Sequence, residues 1–548
     1  MKFDDLLFTY LGEFGKYQAT QFILVCLPTM FTAMHSLSWT FTAPDVNHRC
    51  RLQNEQENTN YFLKNDVSPY IPFDDSCFSP SLTNNSEKCL YKKCTYQNTS
   101  TCPYGYVYYL PNNMYTAINR WDIVCERSIW KATIQSSYYV GQMLGSIIFG
   151  VLGDRIGRKK VFMMALVMQI VAGLLMPITP HWLLYAFLRL ITGFSHPGIF
   201  VIAVIIGMEL VGPSKRKISS VFTGGFFALG QVVLGILAYF LRDYRFLQVS
   251  IALPTVFFLS YHFIVPESPR WLVSKKRYVE ADKILRKAAK TNKTTIPEKW
   301  WEEIDTMNEN GDKSCLEKNH GYSDLFKTPK IRIRSIVAFF IWPVVSMVYY
   351  GVSMKPDFLG GDPYIAFIFG GLMELPAMVV VYCIIDTFGR KPLLGGGFIF
   401  CALFMIISLF LGDLNLNWVW NLILYSLVKG SITIVYASIY TFTPELFPTV
   451  IRNTAMGLCS TFARIGAILS SYVSMWLVTE FGKLYMIIPF SICAIIAGIA
   501  TLFLLPETVG EPLIETIEQL ENLNDKDIIL TETKKLSMTD ELTTNTIN

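Results

Sequence analysis

Long apolar stretches separated by short polar connectors dominate this chain. They cover residues 17–42, 133–153, 161–179, 183–206, 220–240, 246–265, 333–354, 364–386, 392–412, 416–442, 454–478 and 484–506. Each is close to the roughly 17 to 25 residues with which a helix crosses the hydrocarbon core of a bilayer. They are too long for tilted strands, and a backbone in hydrocarbon must satisfy its own hydrogen bonds, so helices are the natural reading. The pattern predicts an all-α membrane protein of twelve spanning helices, with a long polar segment, 43–132, between the first two.

Composition strengthens this picture. Of 548 residues, 52% are hydrophobic and 16% charged, whereas an ordinary soluble domain carries about a quarter charged residues. The opening MKFDDLLFTYLGEFGKYQ is acidic where a secretion signal is basic, and no small-residue cleavage site follows the first apolar run. The net charge of +4 says less than the location of the bases. They cluster in DRIGRKK, PSKRK, SKKR and FGRK, all on one side if the helices alternate, and that side is expected to be the cytoplasm. Arg242 and Arg245 fall on the other side, a minority exception. Both termini, 1–16 and 507–548, are then cytoplasmic. The 507–548 tail is polar with few aromatics and reads as largely disordered.

Half of the twelve cysteines, Cys50, Cys77, Cys89, Cys94, Cys102 and Cys125, lie in the 43–132 segment. An even set in one loop predicts disulfides in an oxidising, extracellular space, with the pairing left open. The glycosylation sequons at Asn84 and Asn98 place the same loop outside. Zinc is the rival reading, but the spacing lacks paired C-x-x-C units. A sequon at Asn292 falls on the cytoplasmic side and is read as chance.

The phrase GVLGDRIGRKK at 150–160 returns as IIDTFGRKP at 384–392, and other landmarks return with it. Gly157-Arg158-Lys159 answers to Gly389-Arg390-Lys391, Glu209 and Arg216 to Glu445 and Arg452 at the same spacing, and Pro266-Glu267-Ser268 to Pro506-Glu507-Thr508. The chain therefore reads as two parallel six-helix halves, 17–265 and 332–506, joined by a cytoplasmic linker, 266–331, the layout of the major facilitator fold. The linker reads as short amphipathic helices packing between the halves. Asp154, Arg155, Arg158, Glu209, Arg216, Glu267, Arg270, Arg390, Glu445, Arg452 and Glu507 all sit at predicted cytoplasmic helix ends. Pairs among them are expected to latch that side when the other is open, one latch per half.

An ionisable side chain near mid-bilayer costs about 2.5–3.5 kcal/mol on insertion scales, so each needs a reason. Glu374, Lys429 and Arg464 stand out, all in the second half. One acid cannot neutralise two bases, which leaves a spare positive charge for water or a ligand carboxylate. Trp342 and Tyr349 are seven residues apart and share a helix face, and ring faces hold cations.

The stretches LGEFGKYQ, RWDIVCERSIWKA, LGDRIGRKK, VPESPRWLVSKKR, TPELFPTVIRN and LPETVGEPLIETIEQL, with the large first loop, carry a further signal. Together they make the chain resemble the organic cation, carnitine and organic anion transporters of the major facilitator superfamily. The resemblance covers nearly the whole chain. It implies that Tyr349, Glu374, Lys429 and Arg464 face a central substrate path, with Trp342, Tyr350, Phe200 and Phe227 nearby. Arginine at 464 matches carnitine and anion members, and glutamate at 374 matches cation and carnitine members, so the combination is of carnitine type. It implies a polyspecific secondary transporter of organic cations or zwitterions in the plasma membrane, working by alternating access. Organic anion exchange is the alternative.

No cofactor is implied, although carnitine members can use sodium. Apart from the bilayer and a small organic substrate, the expected partners reduce to a second copy through the extracellular loop, with no nucleic acid. A receptor that kept the fold and lost transport is disfavoured by the intact central charges. An enzyme is excluded more strongly: the six histidines are dispersed, and neither a metal-ligand cluster nor a nucleophile elbow is present.

Overall fold

The computed structural model describes residues 10–12, 14–53, 55, 56, 61, 94, 102–111, 114–210, 216–298, 300, 301, 322–412, 418–511, 514 and 516–522, with backbone alone at 210, 216–220 and 412. Every apolar run becomes a long helix: α1 (Lys16–Thr42), α2 (Ile129–Ile156), α3 (Arg158–Ile178), α4 (Trp182–Leu210), α5 (Arg216–Phe240) and α6 (Tyr244–Ile264), then α7 (Pro329–Met354), α8 (Pro363–Phe388), α9 (Arg390–Gly412), α10 (Trp418–Leu446), α11 (Thr449–Phe481) and α12 (Leu484–Leu504). Eleven of them are long and apolar enough to cross a membrane by length and composition. The exception, α2, is rich in Gln, Ser and Gly.

Local chemistry sets the helix ends. Asp362 caps α8 by accepting from the amides of Tyr364 and Ile365 at 2.8 and 3.2 Å, with Pro363 in the first turn. The breaks between α2 and α3 and between α8 and α9 fall at Gly157 and Gly389, whose φ angles are +109° and +100°. A Cβ at either position would run into a carboxylate, that of Glu267 or Glu507. Only glycine suits both the backbone angle and the close approach.

Within the first six helices, α2 lies closely on α4, and α1 packs on α4 and α5; within the second six, α7 lies on α11, α10 and α12. The α2–α4 approach is tight because Gly141, Gly145 and Gly193 bring backbone onto backbone. Gly466 does the same for α11 against Pro343 of α7, two residues beyond Arg464. The two groups of six meet mainly along α5 against α8 and α2 against α11.

At one end of the bundle, the large-loop face, β1 (His48–Cys50) pairs antiparallel with β2 (Tyr106–Tyr108). Cys50 is bonded to Cys102 and Cys94 to Cys125. Cys77, Cys89, Asn84 and Asn98 lie outside the described residues, as do positions 302–321 of the linker and 523–548 of the tail.

In the linker helices Pro269–Ser274 and Tyr278–Asn292 and just beyond, Trp271, Leu272, Leu285 and Trp300 form a small core with Leu11 and Tyr17 ahead of and within α1. Asn292 fixes this contact: it accepts from the Tyr17 amide at 2.9 Å and donates to Leu11 O and Gln18 Oε1 at 3.2 and 2.8 Å. Those bonds occupy the amide that a sugar would need.

Candidate functional site

Helix α8 brings Glu374 against Lys429 of α10, with Lys429 Nζ 2.8 Å from Glu374 Oε1. The hydroxyl of Tyr349, on α7, donates to the same carboxylate at 2.9 and 3.1 Å. The lysine ammonium stands 3.7 Å from the Tyr349 ring centroid and donates to Ser353 Oγ. Gln231 of α5, with its amide oriented to satisfy both partners, donates to Glu374 Oε1 at 3.0 Å and accepts from the Gly371 amide at 3.3 Å. Glu374 and Lys429 are both fully buried. Burying either charge alone is expensive, and each supplies the other's counter-charge.

Arg464 stands apart from that pair. Its electrostatic neighbours are Tyr436, Tyr350 and Tyr440. Its Nε and Nη1 are buried with no hydrogen-bond partner among the described residues, and no carboxylate there lies within ion-pair distance of it. Aromatic rings link the two charge centres: Tyr349 lies 4.9 Å from Tyr436, which lies 5.7 Å from Tyr440. Trp342 closes the row at 4.8 Å from Tyr440, and its indole donates to Thr443 Oγ1 at 3.0 Å. It is wholly buried against α10, so its first role is packing.

The facing wall comes from the first six helices. Tyr139 lies 4.9 Å from Tyr350 across the division. Tyr138 OH and His196 Nδ1 are 2.8 Å apart, and the His196 ring stacks toward Phe200 and Phe227 at 5.7 and 6.3 Å. Both Tyr138 and His196 feel the charge of Arg464. Glu374, Lys429, Tyr349 and Tyr350 thus share one contact network with Arg464 at its edge, and Phe200 and Phe227 line the opposite side. Dry charges pair, so Glu374 and Lys429 close on each other while Arg464 takes a separate aromatic niche.

Sequence reasoning missed Tyr138, Tyr139, His196, Gln231, Tyr436 and Tyr440. Tyr436 lies seven residues after Lys429 and Tyr440 four further, a helical stripe that was there to read. It also missed Arg189, fully buried on α4, which donates to His35 O at 2.9 Å, Ser38 Oγ at 3.1 Å and Gln135 Oε1, with its guanidinium over Tyr138. Only His48, Cys94 and Cys125 gather three metal-donor side chains among the described residues. The two cysteines are bonded to each other, which leaves one imidazole.

The charged helix ends opposite the large loop form two matching clusters. Arg158 bonds Asp154 at 2.6 Å and Glu209 at 3.3 Å, while Glu267 accepts from the amide of Lys159 at 3.0 Å. Arg390 bonds Asp386 at 2.9 Å and Glu445 at 3.1 Å, while Glu507 accepts from the amides of Arg390 and Lys391 at 3.0 and 3.1 Å. Each carboxylate at a helix start satisfies free amides and meets the positive end of the helix dipole. Arg155 is exposed, Arg270 lies on the Pro269–Ser274 helix, and Arg452 donates to Phe447 O at 3.4 Å. The Arg216 side chain lies outside the description. The ion pairs of each cluster join residues of the same half.

An ion pair that joins the two groups lies at the large-loop face. Asp45 accepts from Lys131 at 2.5 Å, from Lys355 of the other group, and from Thr479 of the other group at 3.3 Å. Burial alone would raise the Asp45 carboxyl, but the ammonium groups of Lys131 and Lys355 outweigh it and hold it well below the usual carboxylate range. Lys355, despite burial, is held above the usual lysine range by Asp45 and Asp357. Phe41 stacks on Tyr364 at 5.1 Å, and Arg242 sits 4.1 Å over the same ring.

Comparison with known proteins gives a consistent outcome. The "sugar (and other) transporter" family model matches residues 76–520. An "organic cation transporter protein" of Drosophila melanogaster is 34% identical, over 96% of this chain and 96% of that protein. The human "organic cation/carnitine transporter 2" is 29% identical, over 94% and 93%. Among solved structures, the proton:xylose symporter XylE bound to 6-bromo-6-deoxy-D-glucose superposes with a TM-score of 0.57 over 91% of this chain and 98% of that one, at 18% identity, a likeness of fold.

Proposed function

The chain belongs to the sugar (and other) transporter family and, within it, to the organic cation, carnitine and organic anion carriers, and from its central charges we propose that it carries zwitterions of carnitine type and organic cations by alternating access. It is a secondary transporter and catalyses no covalent step. The observation that carries the zwitterion reading is Arg464, whose buried Nε and Nη1 have no partner among the described residues and stand one row of tyrosine rings away from Glu374. A substrate carboxylate would complete that guanidinium with charge-assisted bonds. Its quaternary ammonium would lie on the Tyr349 and Tyr436 faces near Glu374, at about 0.5–2 kcal/mol per ring contact. The relatives, an organic cation transporter protein and an organic cation/carnitine transporter, favour the cation and zwitterion reading over the anion one.

The basic helix ends around Gly157 and Gly389 favour a cytoplasmic location for that face. The large loop then faces outward and both termini lie inside, in a plasma-membrane carrier. In that orientation the Asp45 contacts close the extracellular side. Sodium coupling and self-association through the large loop belong to the same proposal.

Uptake of labelled carnitine, tetraethylammonium and para-aminohippurate, measured side by side in cells expressing the protein with and without sodium, tests it. Carnitine uptake exceeding tetraethylammonium uptake, with no para-aminohippurate entry, is the expected result. Entry of para-aminohippurate alone would overturn the reading in favour of an anion carrier.

A further inference from the structure

Lys429 makes two contacts at once that together define a cation site. Its ammonium lies 2.8 Å from a Glu374 oxygen and 3.7 Å from the centroid of the Tyr349 ring. A carboxylate beside an aromatic face is the arrangement that holds a substituted ammonium. The two recognising groups are fixed to each other, because the Tyr349 hydroxyl donates to both oxygens of Glu374. Ser353 steadies the lysine: its hydroxyl accepts from Lys429 and donates to Tyr349 O at 2.6 Å.

From this geometry we propose that Lys429 is a tethered stand-in for the cationic head of the substrate, seated in the cation subsite and displaced when a substrate enters it. The proposal rests on the transport reading above and deepens it, because it makes Lys429 a competitor for the cation end and not a ligand for the carboxylate end.

A specificity rule follows from the charges. Glu374 is already neutralised by Lys429, and Arg464 has no carboxylate within ion-pair distance among the described residues, so the centre carries a surplus positive charge. A simple monocation must push Lys429 aside and adds a further positive charge to a dry site. A zwitterion pushes Lys429 aside too, but brings its own anion to Arg464. Lys429 therefore biases the carrier toward substrates that pair an ammonium with a carboxylate, and it sets how weakly permanent cations bind.

The test is tetraethylammonium and carnitine binding to the purified full chain, read by ligand-induced thermal stabilisation, with uptake in cells alongside. Lys429→Met keeps the length of the side chain and removes its charge. Tetraethylammonium affinity is expected to rise about tenfold or more, the equivalent of about 1.4 kcal/mol, while carnitine affinity rises by less, because its own carboxylate already offsets the surplus charge. No gain for tetraethylammonium overturns the proposal. So does a tenfold or larger loss for carnitine, which would make Lys429 a carboxylate ligand.

If Lys429→Met does not fold, Ser353→Ala loosens the tether with both charges in place. Tetraethylammonium affinity should then rise about threefold, the scale of one modest hydrogen bond, and an unchanged value overturns the proposal. Absence of uptake of both compounds by the wild type would count against the transport reading alone, since the binding comparison still decides the role of Lys429.

Discussion

Replacing Asp45 by asparagine would remove the carboxylate that ties the two six-helix groups together at the large-loop face. Its bond to Lys131 stays within one group, whereas its bonds to Lys355 and Thr479 cross the division, so only the latter must break for that face to open. A hydrogen bond to a charged group is worth about 1.5–3 kcal/mol. The side chains of Asp45 and Lys355 keep 28% and 15% of their exposure, and discounting for solvent screening leaves about 1–2 kcal/mol for the crossing contact. The closed population should fall by a factor of about 5 to 30 relative to the open one.

The assay is cross-linking between cysteines placed at Thr133 and Tyr472, whose hydroxyls lie 3.5 Å apart across the division. The Asp45→Asn variant is expected to cross-link more slowly than its parent, by at most about 30-fold, because the rate follows the closed fraction. The sign of the pH dependence follows from the two shifts. A depressed carboxylate loses its contribution only as pH falls through the depressed value, and a raised lysine only as pH rises through the raised value. The ratio of the variant rate to the parent rate, in which the common thiol titration cancels, should therefore be flat from about pH 8 to about pH 5. An unchanged rate in Asp45→Asn would refute the reasoning, and so would a variant-to-parent ratio that changes steeply near pH 6.

Three further outcomes are expected. Glu374→Gln leaves the buried Lys429 ammonium without its acid and should destabilise the protein by about 3–5 kcal/mol, seen as a lowered Tm of the purified carrier. Combining it with Lys429→Met should restore most of that loss, since removing both charges also removes the desolvation cost; a double variant no more stable than Glu374→Gln would contradict this. Gly157→Ala forces a side chain into a positive-φ position beside the Glu267 carboxylate and should lower stability by about 1–3 kcal/mol, with an unchanged Tm as the contrary result.

The spans and the repeat were legible because they rest on local properties of the chain: apolar length, and landmarks such as Gly157-Arg158 and Gly389-Arg390 recurring in order. The buried acid and bases of the second half were legible for the same reason, since charge inside an apolar run is visible without a fold. Partner choice was not. Whether Glu374 meets Lys429 or Arg464 depends on how α8, α10 and α11 rotate against one another, and on the backbone contact that Gly466 allows against Pro343.

Asp45 was passed over because nothing near it in sequence hints at Lys355, which lies in the other group of six. Arg189 was overlooked although it interrupts the fourth apolar run. The latch residues were legible as a repeated motif, and Arg158 meets Glu209 as Arg390 meets Glu445, one cluster in each half.

The account's central claim is that Arg464 receives the carboxylate of the substrate. Paired uptake of labelled carnitine and tetraethylammonium by Arg464→Asp, at matched surface expression, tests it most directly. Carnitine uptake should fall to background while tetraethylammonium uptake persists or rises, since the new aspartate repels a carboxylate and welcomes a cation. Carnitine uptake at the wild-type level in that variant would contradict the claim.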